Sequence, residues 1–135
     1  MGFIQPCFIR KNTPELRKKL EEFGYIMGES LNTNKSKGLI CTKYGKVFNI
    51  ICNADISKYD IDCGTNEELF LVLAALRDDT DKNQYFICDK VSVTLGKTYD
   101  PDDYIYYQYD EFFDKQNWHK ATVEEIMEHF KDKYG

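Results

Sequence analysis

Apolar positions follow two different periods along this chain, and the switches between them divide it into elements. Residues 3–10, Phe-Ile-Gln-Pro-Cys-Phe-Ile-Arg, read as an extended segment. Pro6 has no N–H to give to a ladder, so an edge position or a bulge is expected there. At Pro14 the period becomes helical. Leu16, Leu20 and Phe23 fall at i, i+4 and i+7 on one stripe, and Gly24 follows as a natural helix stop. Tyr25-Ile26-Met27 reads as a short strand. Residues 29–37 are polar, with Asn32, Asn34 and Ser36 as turn formers, and are expected to form a mobile loop. Gly38–Lys43 and Lys46–Cys52 are β-rich runs on either side of Tyr44-Gly45, the pattern of a hairpin. Residues 53–62 are polar again.

The second helical stretch, about 66–77, differs from the first. Leu69, Phe70, Leu71, Val72, Leu73, Ala74, Ala75 and Leu76 surround most of its circumference, as in a helix covered on every side. Tyr85–Cys88 then reads as a strand, with Val91–Leu95 as its continuation or hairpin partner. Residues 96–103 and 114–120 read as loops, and Tyr104–Tyr109 as an aromatic, β-branched strand. A third helix, with Val123, Ile126, Met127 and Phe130 on its apolar face, ends near Lys133. Each helix has a threonine at its start: Thr13, Thr65 and Thr122. The last two stand three residues before Glu68 and Glu125, the spacing of a capping box.

The order of elements predicts an α+β fold. It has a mainly antiparallel sheet of about five to six strands and three helices, the middle one (about 66–77) buried. Strands and helices do not alternate regularly, which disfavours a doubly wound parallel sheet. With 135 residues and no linker or repeat, a single domain spanning 1–135 is expected. A chain of this size buries roughly two-thirds of its unfolded surface, so it needs no metal or disulfide to stand. Cys7, Cys41, Cys52, Cys63 and Cys88 are odd in number and scattered, so they read as reduced, buried thiols. No stretch has the length of a membrane span and no leader pattern is visible, so a soluble, cytoplasmic protein with no membrane partner is expected.

Charge is divided along the chain. Residues 1–60 hold 10 Lys and Arg against 6 Asp and Glu, a balance of +4; residues 61–135 hold 8 against 17, a balance of −9. Arg10, Lys11, Arg17, Lys18 and Lys19 raise the option of nucleic-acid binding by the first helix. The net charge of −5 makes nucleic acid an unlikely partner.

Signatures of chemistry are scarce. Phosphate-cradling glycine motifs, Gly-x-Ser-x-Gly and His-Glu-x-x-His are all absent. Asp100-x-Asp102-Asp103 lacks the glycine and twelfth-position glutamate of a calcium loop. No cofactor, metal ligand or catalytic residue is therefore assigned, and the balance leans away from an enzyme. His129 reads as a surface residue. Trp118 and His119 are candidates for a small-ligand or enzymatic pocket.

The most unusual composition lies between residues 99 and 114, where tyrosines are interleaved with carboxylates. Tyrosine offers large rigid area at low entropy cost and a polar tip. Tyr99, Asp102, Asp103, Tyr104, Tyr106, Tyr107 and Tyr109 are therefore the candidate surface for another protein, one with a basic face. The sequence thus favours a small non-catalytic binding protein of unassigned activity.

Overall fold

The computed structural model describes residues 2–27, 39–43, 45–50, 61–94, 96–108 and 116–134. The helices begin where a side-chain oxygen meets the unpaired N–H groups of a first turn. At α1 (Pro14–Phe23), Thr13 Oγ1 accepts from the Leu16 amide at 3.2 Å. Gly24 ends α1 at φ 110°, a left-handed conformation that costs glycine little. At α2 (Glu67–Ala74) the cap is Asn66, whose Oδ1 accepts from Leu69 at 3.0 Å, and not Thr65 as the capping-box spacing suggested. Residues 63–66 make a turn first, with the Asn66 amide on Cys63 O, so the helix starts one residue late. α3 (Val123–Tyr134) has the full reciprocal box: Glu125 N donates to Thr122 Oγ1 at 3.2 Å and Thr122 N to Glu125 Oε1 at 2.9 Å.

α2 also stops at Ala74 rather than near residue 77. Tertiary partners take over its last backbone groups. Gln84 Nε2 donates to Ala75 O at 2.6 Å, and Ile4 N donates to Leu76 O at 3.1 Å.

Ten strands form three sheets among the described residues, where one sheet of five to six strands was expected. The first holds β1 (Cys7–Ile9), β2 (Ile26–Met27), β3 (Leu39–Lys43), β4 (Lys46–Ile50) and β5 (Ile61–Asp62), in the order β2-β4-β3-β1-β5. The β3–β4 hairpin stands as read, turning through Gly45 at φ 78°. The sheet is mixed: β2 lies parallel to β4 and β5 parallel to β1. For β2 the cause is α1, which carries the chain back so that β2 leaves in the direction of β1. β1 is an interior strand despite Pro6, because the strand begins at Cys7 and no ladder bond is asked of the proline.

The second sheet contains β6 (Gln84–Cys88), β9 (Tyr104–Tyr107) and β10 (Trp118–Lys120), all antiparallel in the order β10-β6-β9. β7 (Ser92–Thr94) and β8 (Lys97–Tyr99) pair only with each other among the described residues. Two stretches read as loops are thus strands. Three residues are too few to show a period, and β10 owes its ladder to β6 rather than to its own sequence. β7 is neither a continuation of β6 nor its partner. The amides of Asp89 and Lys90 bond to Asn117 O and break the run.

α2 touches β1, α1 and α3, but it is not covered on every side as its apolar run suggested, because Leu71 and Val72 border an open cleft. Phe70, Leu73 and Ala74 are fully buried, while Leu69, Leu71 and Val72 are half-buried. They meet Leu16 and Leu20 of α1, Ile9 and Ile40 of the first sheet, Ile87 of β6, and Ile126 and Phe130 of α3 in one core. A second, smaller cluster on the other face of β6 joins Phe86, Cys88, Tyr107 and Trp118. Cys7, Cys41, Cys63 and Cys88 are buried free thiols; Cys52 lies outside the described residues, as do the polar stretch 29–37 and Tyr109. The neighbouring Cys7 thiol and burial push the Cys63 thiol well above its usual range. Among the described residues no helix is long and apolar enough to cross a membrane.

Candidate functional site

The tyrosine–aspartate segment is built on the second sheet and the β7–β8 hairpin. Tyr99 ends β8 with its ring edge-on to Trp118, centroids 5.2 Å apart. The chain then turns through Asp100-Pro101-Asp102-Asp103, all four exposed. The turn is tied down at both ends. Asp103 Oδ2 accepts from Asp100 N at 2.8 Å, Asp102 N donates to Cys88 O, and Cys88 N donates to Asp103 O. Asp102 sits at φ 74°, a left-handed conformation that aspartate tolerates better than most residues. The carboxylates of Asp100 and Asp102 are left facing solvent.

β9 then sorts its tyrosines by alternation. Tyr104 and Tyr106 share one face. The Tyr104 ring stacks on His129 at 4.0 Å and its hydroxyl donates to Glu125 O at 3.3 Å. Burial, with Glu125 and Asp102 nearby, raises its pKa. The Tyr106 hydroxyl donates to Asn83 Oδ1 at 3.0 Å, and its ring leans on Tyr85. Tyr107 faces the other way, 6% exposed, in edge contact with Phe86. Of the tyrosines singled out in sequence that lie among the described residues, Tyr99, Tyr104 and Tyr106 thus keep surface area and Tyr107 does not. Beside them lies an apolar patch that the sequence did not flag. Val91 and Val93 are 60% and 73% exposed, and the β7–β8 register sets Val91 next to the start of the Asp100 turn.

Trp118 and His119 are neighbours in β10, so their side chains leave opposite faces of the sheet and do not share a wall. Trp118 is 3% exposed, with Nε1 donating to Ser92 Oγ at 3.4 Å. His119 lies between two carboxylates: Nδ1 is 2.7 Å from Asp89 Oδ1, and Nε2 is 2.9 Å from Glu125 Oε2. Both ring nitrogens donate only in the imidazolium form. Burial opposes that charge, but the hydrogen bonds to Glu125 and Asp89 outweigh it and raise the pKa. Glu125 is shifted down. Burial works against its charge, and bonds from Thr122 and His119 prevail. Glu125 was visible in sequence as a capping residue. Asp89, thirty positions from His119, had no local signal.

The basic residues near the N-terminus are partly committed. Arg10 bonds Asp62 at 2.8 Å, Lys11 pairs with Glu67 at 3.3 Å, and Arg17 bonds Asn12.

Away from all these, a cleft of about 410 Å³ opens where α1, α2 and the β6–β9 edge meet. Phe23, Leu71, Val72 and Tyr85 form its floor, and Tyr106 stands at its side. It adjoins a second cleft of about 250 Å³ that reaches Phe3 and Arg77. Comparison with known protein families, curated proteins and solved structures gives no match.

Proposed function

We propose that the chain is a single-domain, non-catalytic protein-binding module that presents an acidic, tyrosine-bearing surface to a basic protein partner. The observation that carries this reading is the junction of Val91 and Val93, exposed on a hairpin, with the solvent-facing Asp100–Asp103 turn. Exposed valines beside fixed carboxylates offer apolar area for affinity and charge for steering. Tyr99 and Tyr104 border the same turn and supply rigid rings. The acidic excess of residues 61–135 favours a basic partner and disfavours nucleic acid. His119, the residue best suited to acid–base work, has both nitrogens engaged by carboxylates, which supports a binding role over a catalytic one.

The test is a capture experiment with wild type and two variants, one carrying Asp100→Asn, Asp102→Asn and Asp103→Asn, the other Val91→Ser and Val93→Ser. Asparagine keeps the turn's acceptors and tolerates the conformation of Asp102. A basic protein that binds wild type directly, weakens with salt and is lost with both variants supports the reading. Equal recovery of every partner by all three proteins overturns it.

A further inference from the structure

The cleft between α1, α2 and the β6–β9 edge is independent of the acidic turn, and its chemistry is more specific than that of an open face. Its volume, about 410 Å³, lies within the range of small-molecule sites. Phe23, Leu71, Val72 and Tyr85 are all half-buried, left unfinished by the core they border. Tyr85 and Tyr106 both line the cleft, tilted at 43° with centroids 5.0 Å apart, and give it an aromatic wall. The fold holds this wall rigidly. Tyr106 is anchored through its hydroxyl to Asn83, and Tyr85 packs edge-on against Phe130 of α3.

The mouth is charged. α1 contributes Lys19 and Glu22, α2 contributes Glu68, and the turn before β6 contributes Lys82. Glu68 is already partnered. Among the described residues neither lysine ammonium has an ion pair, so two cations face one free carboxylate, Glu22, over an apolar floor. A flat ring would cover the apolar area that water now touches, and an anionic group on that ring would meet the lysines at the rim. We infer that this cleft is a binding site for a small planar aromatic ligand carrying one anionic group.

Two dyes of the same shape separate the terms. Anilinonaphthalene sulfonate has the rings and the charge; phenylnaphthylamine has the rings alone. Fluorescence titration of the folded full chain should show one equivalent of the sulfonate binding more tightly than the neutral dye and raising Tm. Lys19→Gln and Lys82→Gln should each weaken the sulfonate roughly two- to fivefold, the yield of an exposed charge pair, and leave the neutral dye unchanged. Val72→Phe fills the floor and should remove both dyes. Both lysines are exposed, so their variants decide the matter even where Val72→Phe does not fold. Equal affinity for the two dyes, sulfonate binding indifferent to both lysines, or sulfonate binding that survives in a folded Val72→Phe protein would each overturn the inference. Because no Asp100–Asp103 carboxylate is touched, failure here leaves the protein-binding reading standing.

Discussion

β6 divides two cores of unlike character. On the Ile87 side lies the large one, aliphatic and fed by all three helices, with Phe70 and Leu73 fully enclosed. On the Phe86 and Cys88 side lies a small one built from Tyr107, Trp118 and the rim residues Tyr99 and Ile105. The first is closed by regular elements with long apolar stripes. The second is roofed by a two-stranded hairpin, with Trp118 donating to Ser92 and the Cys88 thiol to Lys90 O at 2.9 Å. Burial raises the pKa of that thiol, so it serves as a packed, uncharged group. The acidic turn and the exposed valines sit on the smaller core. The large core and the valine–aspartate part of the proposed recognition surface thus belong to different sides of one strand, with Tyr104 packed on the larger core, and changes on the two sides should read out differently.

The largest effect belongs to the α2 side. Phe70→Ala removes a fully buried ring at the point where α2 meets β1, and should cost about 3–5 kcal/mol. Leu73→Ala follows at about 2–5 kcal/mol. For a chain of this size that is a fall in Tm of roughly 10 °C or more, measured by calorimetry. A Phe70→Ala protein melting within a degree or two of wild type would remove α2 from the centre of the fold.

Trp118→Ala tests the other side. The indole is buried, so the cost should be about 3–5 kcal/mol, the range for such a residue. Where the loss appears distinguishes the cores better than its size. Hydrogen exchange should accelerate in β7, β8 and residues 100–103, while α2 amides keep most of their protection. Uniform acceleration through α2 and β7–β8 would mean that the two clusters unfold as one unit.

This division was only half legible in the sequence. The stripe Leu16-Leu20-Phe23, the all-round apolar run of α2 and the Thr122–Glu125 box are local, so periodicity and capping chemistry displayed them. β8 and β10 are three residues each, and a strand that short is defined by its partner. Within α2, Phe70, Leu73 and Ala74 are fully buried while Leu69, Leu71 and Val72 are not, although the apolar run treats them alike, because burial is decided by neighbours from distant elements. The tyrosine-rich segment was visible as composition, but alternation along β9 sends Tyr107 inward. The valine patch and the cleft at Lys19, Lys82 and Tyr106 are assembled from distant segments and have no linear signature.

The ion cluster between the cores predicts a smaller, pH-dependent effect. His119 has a folded pKa above its ordinary value near 6.5, so its contribution is complete below about pH 6.5 and is lost as pH rises through the folded value. Glu125 runs the other way. Its folded pKa lies below 4.5, so its contribution is present above that and disappears as pH falls through the folded value. The cluster is therefore strongest between about pH 5 and 6.5. Urea titrations should show wild type losing under about 1 kcal/mol between pH 6 and 8, since a histidine 39% exposed is partly screened by water. His119→Gln should flatten that slope. An unchanged slope in the variant would assign the pH dependence to other groups.

The smallest effect concerns the first sheet. Arg10 and Asp62 are joined at 2.8 Å, but their side chains are 56% and 38% exposed. Two exposed charges lose in side-chain entropy and screening most of what they gain, so Arg10→Ala should change stability by no more than about 0.5 kcal/mol. The partner is not equivalent. Asp62 Oδ1 also accepts from the Gly64 amide at 2.8 Å, fixing the turn that leads from β5 toward α2. Removing that acceptor strips a backbone bond as well as the ion pair, so Asp62→Ala should cost about 1 kcal/mol more than Arg10→Ala. Asp62→Asn, which keeps the acceptor and loses the charge, should fall close to Arg10→Ala. If Arg10→Ala proved as costly as Asp62→Ala, the ion pair rather than the turn would be holding β5 beside β1.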